Sequence, residues 1–512
     1  MRHVRLTSMI AAALALASCA ASPALDARTA AWWETTQDLS SDVMEGRDTG
    51  SPGYDRAANV VAARFDSAGL IPAGDDGGWM QIIAFKDVEV TAEGTSLTAV
   101  HHDGTRRQLR FLHEISVGPQ WGLASSLDAP MVWRGWCRPE DMTDVSGKIV
   151  VCLGARREGQ TTGGERLRAA TQAGAVAIVN VDDMSFTVEP PRWPLAYARN
   201  VILAETTPGP ATLPSLRMAA PTFEALAQAA GVDGASILAA GGRNQPMMSF
   251  DFRARLEATF ALRERAYTSA NVLGMLPGTD PALADQPILL IAHLDGYGYG
   301  TPVDGDELYN GTFDDAAYVA TLTTLAAERA GRGWRRPVIF AAVTGEEKGL
   351  WGSRWLAANP TPGAPTPVAV LNLDQLRPLY PLTILTTLAL DDSTLGQTVR
   401  DIAGPMGIEV RPDREPERGL IRRSDHWPFM QRGVPAVSFL FGFDYGTPAH
   451  DAYLDWYRHR YHAPQDDVTT PIDFQAQADF HTFWFALVEA VADAEQPPQW
   501  LPDAPNRPGG GN

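Results

Sequence analysis

Four short stretches carry groups that bind cations or move protons. In ILLIAHLDGYGYG, residues 288–300, an apolar run ends in His293 and Asp295. PVIFAAVTGEE ends in Glu346 and Glu347, PVAVLNLD ends in Asp374, and NGTFDDAA between the first two carries Asp314 and Asp315. Any one of these acids alone could do no more than cap a helix. Gathered on one rim they would repel one another, so either their pKa values rise or metals bind between them. Mixed imidazole and carboxylate ligation suits zinc, and less specifically manganese or cobalt. A further His is wanted downstream: RYHAPQDD offers His462, with His450 and His459 as nearby competitors that read as surface residues.

A buried sheet must position these groups. PILLIAH, PVIFAAV, PVAVLNL and VPAVSFLF are continuous apolar runs, as expected of strands covered on both faces of a parallel sheet. Helical stretches such as DDAAYVATLTTLAAERA lie between them. Ligands of open α/β sheets bind beyond the carboxyl ends of the strands, which brings three of the four stretches to one edge. The fourth sets Asp314 and Asp315 at a helix start, where the helix dipole favours a carboxylate. Upstream, residues 29–70 read as helical with a Gly/Pro break at DTGSPG. From about Ser96 the short runs SLTAV, RQLRFL, APMVW, KIVVCL and AVAIVN make a β-rich segment with one evident helix, GERLRAATQAGA. The pattern changes again after RARLEATFALRERAY, and the Pro/Gly-rich end after about Glu495 reads as a loose tail.

At 512 residues the chain exceeds one ordinary core, so roughly two to three domains are expected. An apolar fraction of 45% and a charged fraction of 20% describe a globular protein. The net charge of −19 argues against nucleic acid and against adhesion to anionic lipid by charge alone. The start, MRHVRLTSMIAAALALASCAASP, sets two arginines before a short apolar run that ends in small residues, the pattern of a secretory signal. Its Leu16-Ala17-Ser18-Cys19 resembles the bacterial lipobox, in which the Cys becomes the lipidated first residue. That implies attachment to the periplasmic face of a bacterial membrane only through an N-terminal lipid; simple secretion, or a soluble periplasmic protein, is the alternative. No later stretch is apolar for the ~20 residues of a spanning helix. Cys137 and Cys152 lie near candidate strands and leave both a disulfide and two buried thiols open.

In order, AHLD, GTFDDAA, TGEEKGLWGS, NLDQ, SDHWPF and YHAPQD resemble the M28 family of di-zinc metallopeptidases of the aminopeptidase type. MEGRDTGSPGYDRAANVVAARFDSAGL is similar to that family's N-terminal region, and ANVLGMLPG to its first sheet strand. VSGKIVVC and AATQAGAVAIVNVDD resemble an inserted protease-associated (PA) domain. The resemblance implies an α/β fold: a mixed, largely parallel sheet flanked by helices (the zinc exopeptidase fold) with a β-rich PA insertion. The corresponding division is a lipoprotein signal at 1–18, an N-terminal part of the peptidase at 24–95, the insertion at 96–262, the catalytic domain at 263–495 and a flexible tail at 496–512.

Carried over by position, the resemblance implies that Asp314 bridges two Zn2+ ions (Mn2+ or Co2+ as alternatives). His293 and Asp374 complete one site, and Glu347 and His462 the other. Glu346 is then the general base and Asp295 orients His293, while Asp315 is not a ligand and caps the helix. Phe313 stands where the family often has a small residue, and AAY follows the acidic pair where Ser-Gly is common; neither change removes a ligand. Tyr445 in FGFDYGTP is a candidate oxyanion donor or else a packing aromatic. Asp425 and His426 either support the site or form a structural turn. The implied function is aminopeptidase action on peptides. A one-zinc glutaminyl cyclase-like acyltransferase and a non-catalytic receptor-like ectodomain share the scaffold, and retention of every ligand together with both glutamates favours the peptidase.

Overall fold

The computed structural model describes residues 25–374 and 376–509. The signal segment and Cys19 therefore lie outside the described residues. Val338–Val343, Ile288–His293, Ala369–Asn372 and Ala436–Phe441 lie side by side as parallel strands in that order. Every residue of the four is buried. Ile288, Leu290 and Ala292 face the layer formed by helices Ala27–Ser40, Pro52–Ser67, Ala317–Arg329 and Phe474–Ala492. Leu289 and Ile291 face the opposite layer, with Leu356, Phe429 and Met430. With both faces covered, a polar side chain can emerge only at a strand end. Antiparallel strands extend the sheet on both sides, Ile384–Leu388 against Ala436–Phe441 and Phe250–Leu276 against Val338–Val343. The result is the mixed, largely parallel α/β sheet flanked by helices.

Two long strands, Met80–His101 and Phe250–Leu276, pair antiparallel and carry the chain out of this sheet and back. Beyond them Ser126–Trp133, Ile149–Leu153, Ala177–Val181 and Ser215–Met218 form a second parallel set. It has its own core around Trp133, Trp136, Phe223, Phe252 and Leu256. Positions 96 and 262 thus fall inside continuous strands, close to the one register shift of the ribbon, between Thr259 and Ala261. The segment holds three α-helices, Gly163–Gln172, Ala220–Ala229 and Gly234–Gly242, where the sequence pattern shows one. The other two come from APTFEALAQAAGVDGASILAAGG, whose Ala and Gly content leaves no clear polar face to read. Cys137 and Cys152 form a disulfide with Cα atoms 5.7 Å apart, which decides between the two alternatives.

The end of the chain, through residue 509, is docked rather than loose. The Trp500 indole donates to the Gly433 carbonyl at 2.7 Å, and Asn506 donates its main-chain N–H and its amide to the Asp392 carboxylate at 3.0 and 2.9 Å. Proline denies this stretch a regular ladder but leaves its side chains free to bind. Among the described residues, no helix is long and apolar enough to cross a membrane.

Candidate active site

The strand ends meet as the sheet requires. His293 closes its strand, Asp374 stands two residues beyond Ala369–Asn372, and Glu346 and Glu347 follow Val338–Val343 across a Thr-Gly turn. Asp314 lies between two imidazoles: its Oδ1 is 3.4 Å from His293 Nε2 and its Oδ2 is 3.2 Å from His462 Nε2. Glu347 Oε2 is 3.3 Å from the same His462 nitrogen. Atoms that share a tetrahedral zinc at ~2.0–2.1 Å lie about 3.3 Å from one another, so these spacings are those of ligands around a cation. Two clusters result: Asp314, Glu347 and His462 form one, and His293, Asp315 and Asp374 the other, with ligand atoms within 4.8 Å inside each. Both oxygens of Asp374, Oδ2 of Asp314 and Oε1 of Glu347 are buried without a hydrogen-bond partner. Unpartnered buried carboxylate oxygens are costly unless a cation meets them. The donor set of these two clusters therefore fits divalent metal, with Asp314 placed between the two imidazoles.

The supports fix each group's direction. His293 Nδ1 donates to the main-chain carbonyl of Asp295 at 3.0 Å, which leaves the Nε2 lone pair toward the cluster. The Asp295 carboxylate is farther away, 3.9 Å from that ring. Its Oδ1 instead accepts the main-chain N–H of Glu346 at 3.0 Å, and its Oδ2 accepts from Thr49 Oγ1 at 3.1 Å. Asp295 thus serves both halves of the site, His293 through its backbone and the glutamate turn through its side chain. Asp315 does not cap the helix as expected: its Oδ2 accepts the main-chain N–H of His293 at 3.1 Å, tying the loop to the strand end. Gly311 (φ 59°) makes the turn into Asp314 possible, since a Cβ there would meet the Asp314 carbonyl at 2.5 Å. The Asp466 carboxylate then accepts the Phe313 N–H at 3.0 and 3.2 Å.

Charge explains what the site lacks. Asp295, Asp314, Asp315, Asp374, Asp425 and Asp466 are all buried, with Glu346 and Glu347 at the lip. Among the described residues, Arg47, Lys348 and Arg377 are the cations buried beside them. Burial pushes Glu347, Asp425 and Asp466 each up to about 7, and it pushes Glu346 and Asp315 well above the carboxylate range. Burial also works against Asp314, but the His293 and His462 contacts more than offset it and hold that group low. A floor of this kind draws in divalent cations.

Several residues with no evident role in the sequence complete the frame. Arg47 donates to the carbonyls of Leu39, Leu294, Asn310 and Gly311, pinning the N-terminal segment to both acidic loops. Lys348, directly after the glutamates, donates to Tyr197 Oη at 2.5 Å and to the Gly296 carbonyl at 3.1 Å, and pairs with Asp48 at 3.2 Å. Tyr297 Oη lies 3.0 Å from His462 Nδ1. Tyr297 sits next to the Asp295–Gly296 corner, but in GYGYG nothing separates it from Tyr299, which is exposed. Among the described residues Tyr445 makes no contact with the cluster; it is exposed, edge-on to Phe443 and His450 and beneath Arg414, in the loop between Ala436–Phe441 and helix Pro448–His459. Asp425 accepts from Ser353 Oγ at 2.5 Å, and both His426 ring nitrogens are buried without a partner.

A cleft of about 570 Å³ opens over His462 and Tyr297. Its opposite wall comes from the inserted segment, through Asp182, Glu189 and Arg192 among others.

Residues 271–488 match peptidase family M28. Leupeptin-inactivating enzyme 1 of Streptomyces exfoliatus is 26% identical over 318 residues, 56% of this chain and 68% of that protein. Among solved structures, the aminopeptidase of Aneurinibacillus sp. strain AM-1 superposes with a TM-score of 0.62 at 19% identity, covering 91% of this chain and 95% of that one. A zinc aminopeptidase of Bacillus subtilis gives 0.59 at 18% identity, with 91% and 96% covered. The family match spans the strands that carry the cluster: residues 271–488 are similar to peptidase family M28, and the chain is a metallopeptidase.

Proposed function

We propose that the protein is a zinc-dependent aminopeptidase with Glu346 as its general base. The observation that carries this reading is the Asp314 carboxylate, set between His293 and His462 with Glu346 beside the Glu347 ligand position. The charge of the floor favours two metals over one, because the buried carboxylates outnumber Arg47, Lys348 and Arg377 by more than a single divalent ion restores. Zinc held by these residues would supply Lewis acidity and lower the pKa of nearby water. Glu346 is free of such ligation and has an affinity for protons raised by burial. It accepts the proton of the attacking water and delivers it to the leaving amine. Asp295 keeps the Glu346 backbone in register during both transfers. A rim so rich in carboxylates suits a free α-ammonium group better than a carboxylate at the cleaved end. The relatives named as aminopeptidases share this fold.

The test compares free and N-acetylated forms of one good peptide, with zinc added and with a chelator. Cleavage is expected only for the free peptide and only with metal. Equal rates on both forms would identify an endopeptidase or a carboxypeptidase instead.

We also propose that Cys19 carries a lipid anchor, on the strength of Leu16-Ala17-Ser18-Cys19. Cys19→Ala should then release active protein from the membrane fraction. Wild-type protein that fractionates as soluble, without a lipid mass increment, would refute the anchor.

A further inference from the structure

Arginines from the insertion and from the catalytic part line the cleft, and Arg217, Arg418 and Arg423 among them are matched by acids. Arg217 pairs with Asp182 at 2.6 Å and Arg157 with Asp183 at 2.6 Å; Arg423 and Arg418 both hold Glu189, at 2.9 and 3.2 Å. Arg192 differs. Among the described residues it has no ion pair, and its one hydrogen bond is from Nη2 to the main-chain carbonyl of Tyr457, at 2.9 Å. The guanidinium lies over the Tyr461 ring, 5.2 Å from the centroid, and Tyr461 stacks on His462 at 3.7 Å. Arg192 thus stands within about 9 Å of the His462 ring at the edge of the cluster, and it lines the same cleft. Burial lowers its pKa, and the fields of Glu189 and Asp314, neither in contact with it, offset that only in part. The floor below has the opposite charge, so a substrate lying across the cleft meets acids at one end and an unmatched guanidinium at the other.

We infer that Arg192 binds a carboxylate on the leaving-group side of the scissile bond, which makes short peptides with a negative charge at that position the preferred substrates. The inference rests on the aminopeptidase reading. It follows from position and charge: a peptide held by its free amine over the acidic floor runs its leaving-group residues, ~3.3–3.6 Å each, toward the wall where Arg192 stands. Planar bidentate pairing is what a guanidinium offers such a group. The carboxylate can be the C-terminus of a dipeptide or the side chain of an acidic residue.

The experiment distinguishes these sources with metal-loaded protein and an N-terminal residue X that it cleaves. One arm compares X-Ala with X-Ala-amide; the other compares X-Asp-amide with X-Asn-amide; an X-anilide reports cleavage that needs no carboxylate. Wild-type protein should favour the charged member of at least one pair by about ten- to a hundred-fold in kcat/KM, the range of a charge-assisted hydrogen-bonded pair. A ratio in the first arm assigns the terminal carboxylate, and one in the second the side chain. Arg192→Gln should bring the ratio close to one, chiefly through KM, and Arg192→Lys should restore part of it. Ratios near one in wild type, with the anilide still cleaved, would overturn the carboxylate subsite while leaving the aminopeptidase reading intact. A ratio that survives Arg192→Gln would overturn the assignment to Arg192. Failure to cleave any free-amine substrate would reject both readings.

Discussion

The floor and the roof of the cleft solve opposite electrostatic problems. The floor gathers carboxylates at the ends of buried strands and leaves several of their oxygens without partners. The roof, supplied by the insertion, pairs Arg157 and Arg217 with its own acids and offers Glu189 to Arg418 and Arg423 of the floor. The floor therefore needs far more outside charge than the roof, and its geometry is fixed by a sheet whose two faces are both covered. The roof is held across the cleft by largely buried ion pairs, chiefly Glu189 to Arg418 and Arg423, and by the Tyr197–Lys348 contact. On the proposed reading, metal binding and proton transfer belong to the floor, and positioning and selection of substrate to the roof.

If that division holds, substitutions in the floor must have the largest effects. Asp314→Ala removes the anion between His293 and His462 and leaves the remaining acids to repel, so both metals and all measurable turnover should be lost. Glu346→Gln keeps shape and removes the proton acceptor. Turnover should fall by about 10²–10⁴-fold, the usual worth of positioned acid–base catalysis, with both metals retained. Glu347→Gln should lower metal content as well as rate. Metal per protein after dialysis, measured beside turnover, checks all three. Metal loss in the Glu346 variant with retention in the Glu347 variant would mean that the two roles are exchanged.

The same asymmetry decides what the sequence can reveal. A strand buried on both faces must be apolar throughout, so His293 and Asp374 stand out at the ends of their runs and the parallel sheet is legible with them. Asp295 and Asp315 are visible as residues, but their partners are not. Whether a carboxylate meets an imidazole ring or a main-chain N–H depends on a corner of the chain that no spacing encodes. Arg47 and Asp466 act from far along the chain on main-chain groups, and main-chain groups carry no sequence signal. The insertion is harder still. Its helices in APTFEALAQAAGVDGASILAAGG lack a polar stripe, and what sets Arg192 apart, burial without an acid in contact, is written in the fold rather than in the residues around it.

In the roof, the expected effects fall on stability before rate. Cys137 and Cys152 close a short loop, with a sequence separation of 15, inside the inserted segment. Replacing both with Ser should cost that segment about 3 kcal/mol, the entropy of closing such a loop. Amide exchange localised to residues of the second core would show this, with kcat on a small anilide substrate little changed. A comparable loss of kcat would mean that the roof's fold directly shapes the floor.

Glu189 gives a pH-dependent version of the same test. Burial alone would raise its pKa, but Arg423 and Arg418 outweigh burial and bring it from the usual 4.5 down to about 2. A folded-state value below the unfolded one means that the stabilisation is present above about pH 4.5. It is lost as the pH falls toward 2, and it amounts to at most about 3 kcal/mol. Glu189→Gln should therefore destabilise the protein relative to wild type at pH 7, and the difference should shrink steadily below pH 4.5. A difference independent of pH would show that shape rather than charge joins roof and floor.

The smallest expected effect probes the point where the division between roof and floor is weakest. Tyr197 belongs to the insertion, yet its hydroxyl accepts from Lys348, the residue that follows Glu347. Burial pushes the Tyr197 pKa up to about 12, so the phenol stays protonated while the peptidase works. In Tyr197→Phe, Lys348 keeps the Asp48 carboxylate and the Gly296 carbonyl and stays in place, with one hydrogen bond fewer. That bond is worth on the order of 1.5–3 kcal/mol locally. Part of the loss should pass to the adjacent glutamate turn, lowering kcat by roughly five-fold. Metal content and KM should not move, because Glu347 and the cleft wall are untouched. An unchanged kcat would confine the roof to substrate selection. A raised KM at constant kcat would show that Tyr197 faces substrate rather than the catalytic turn.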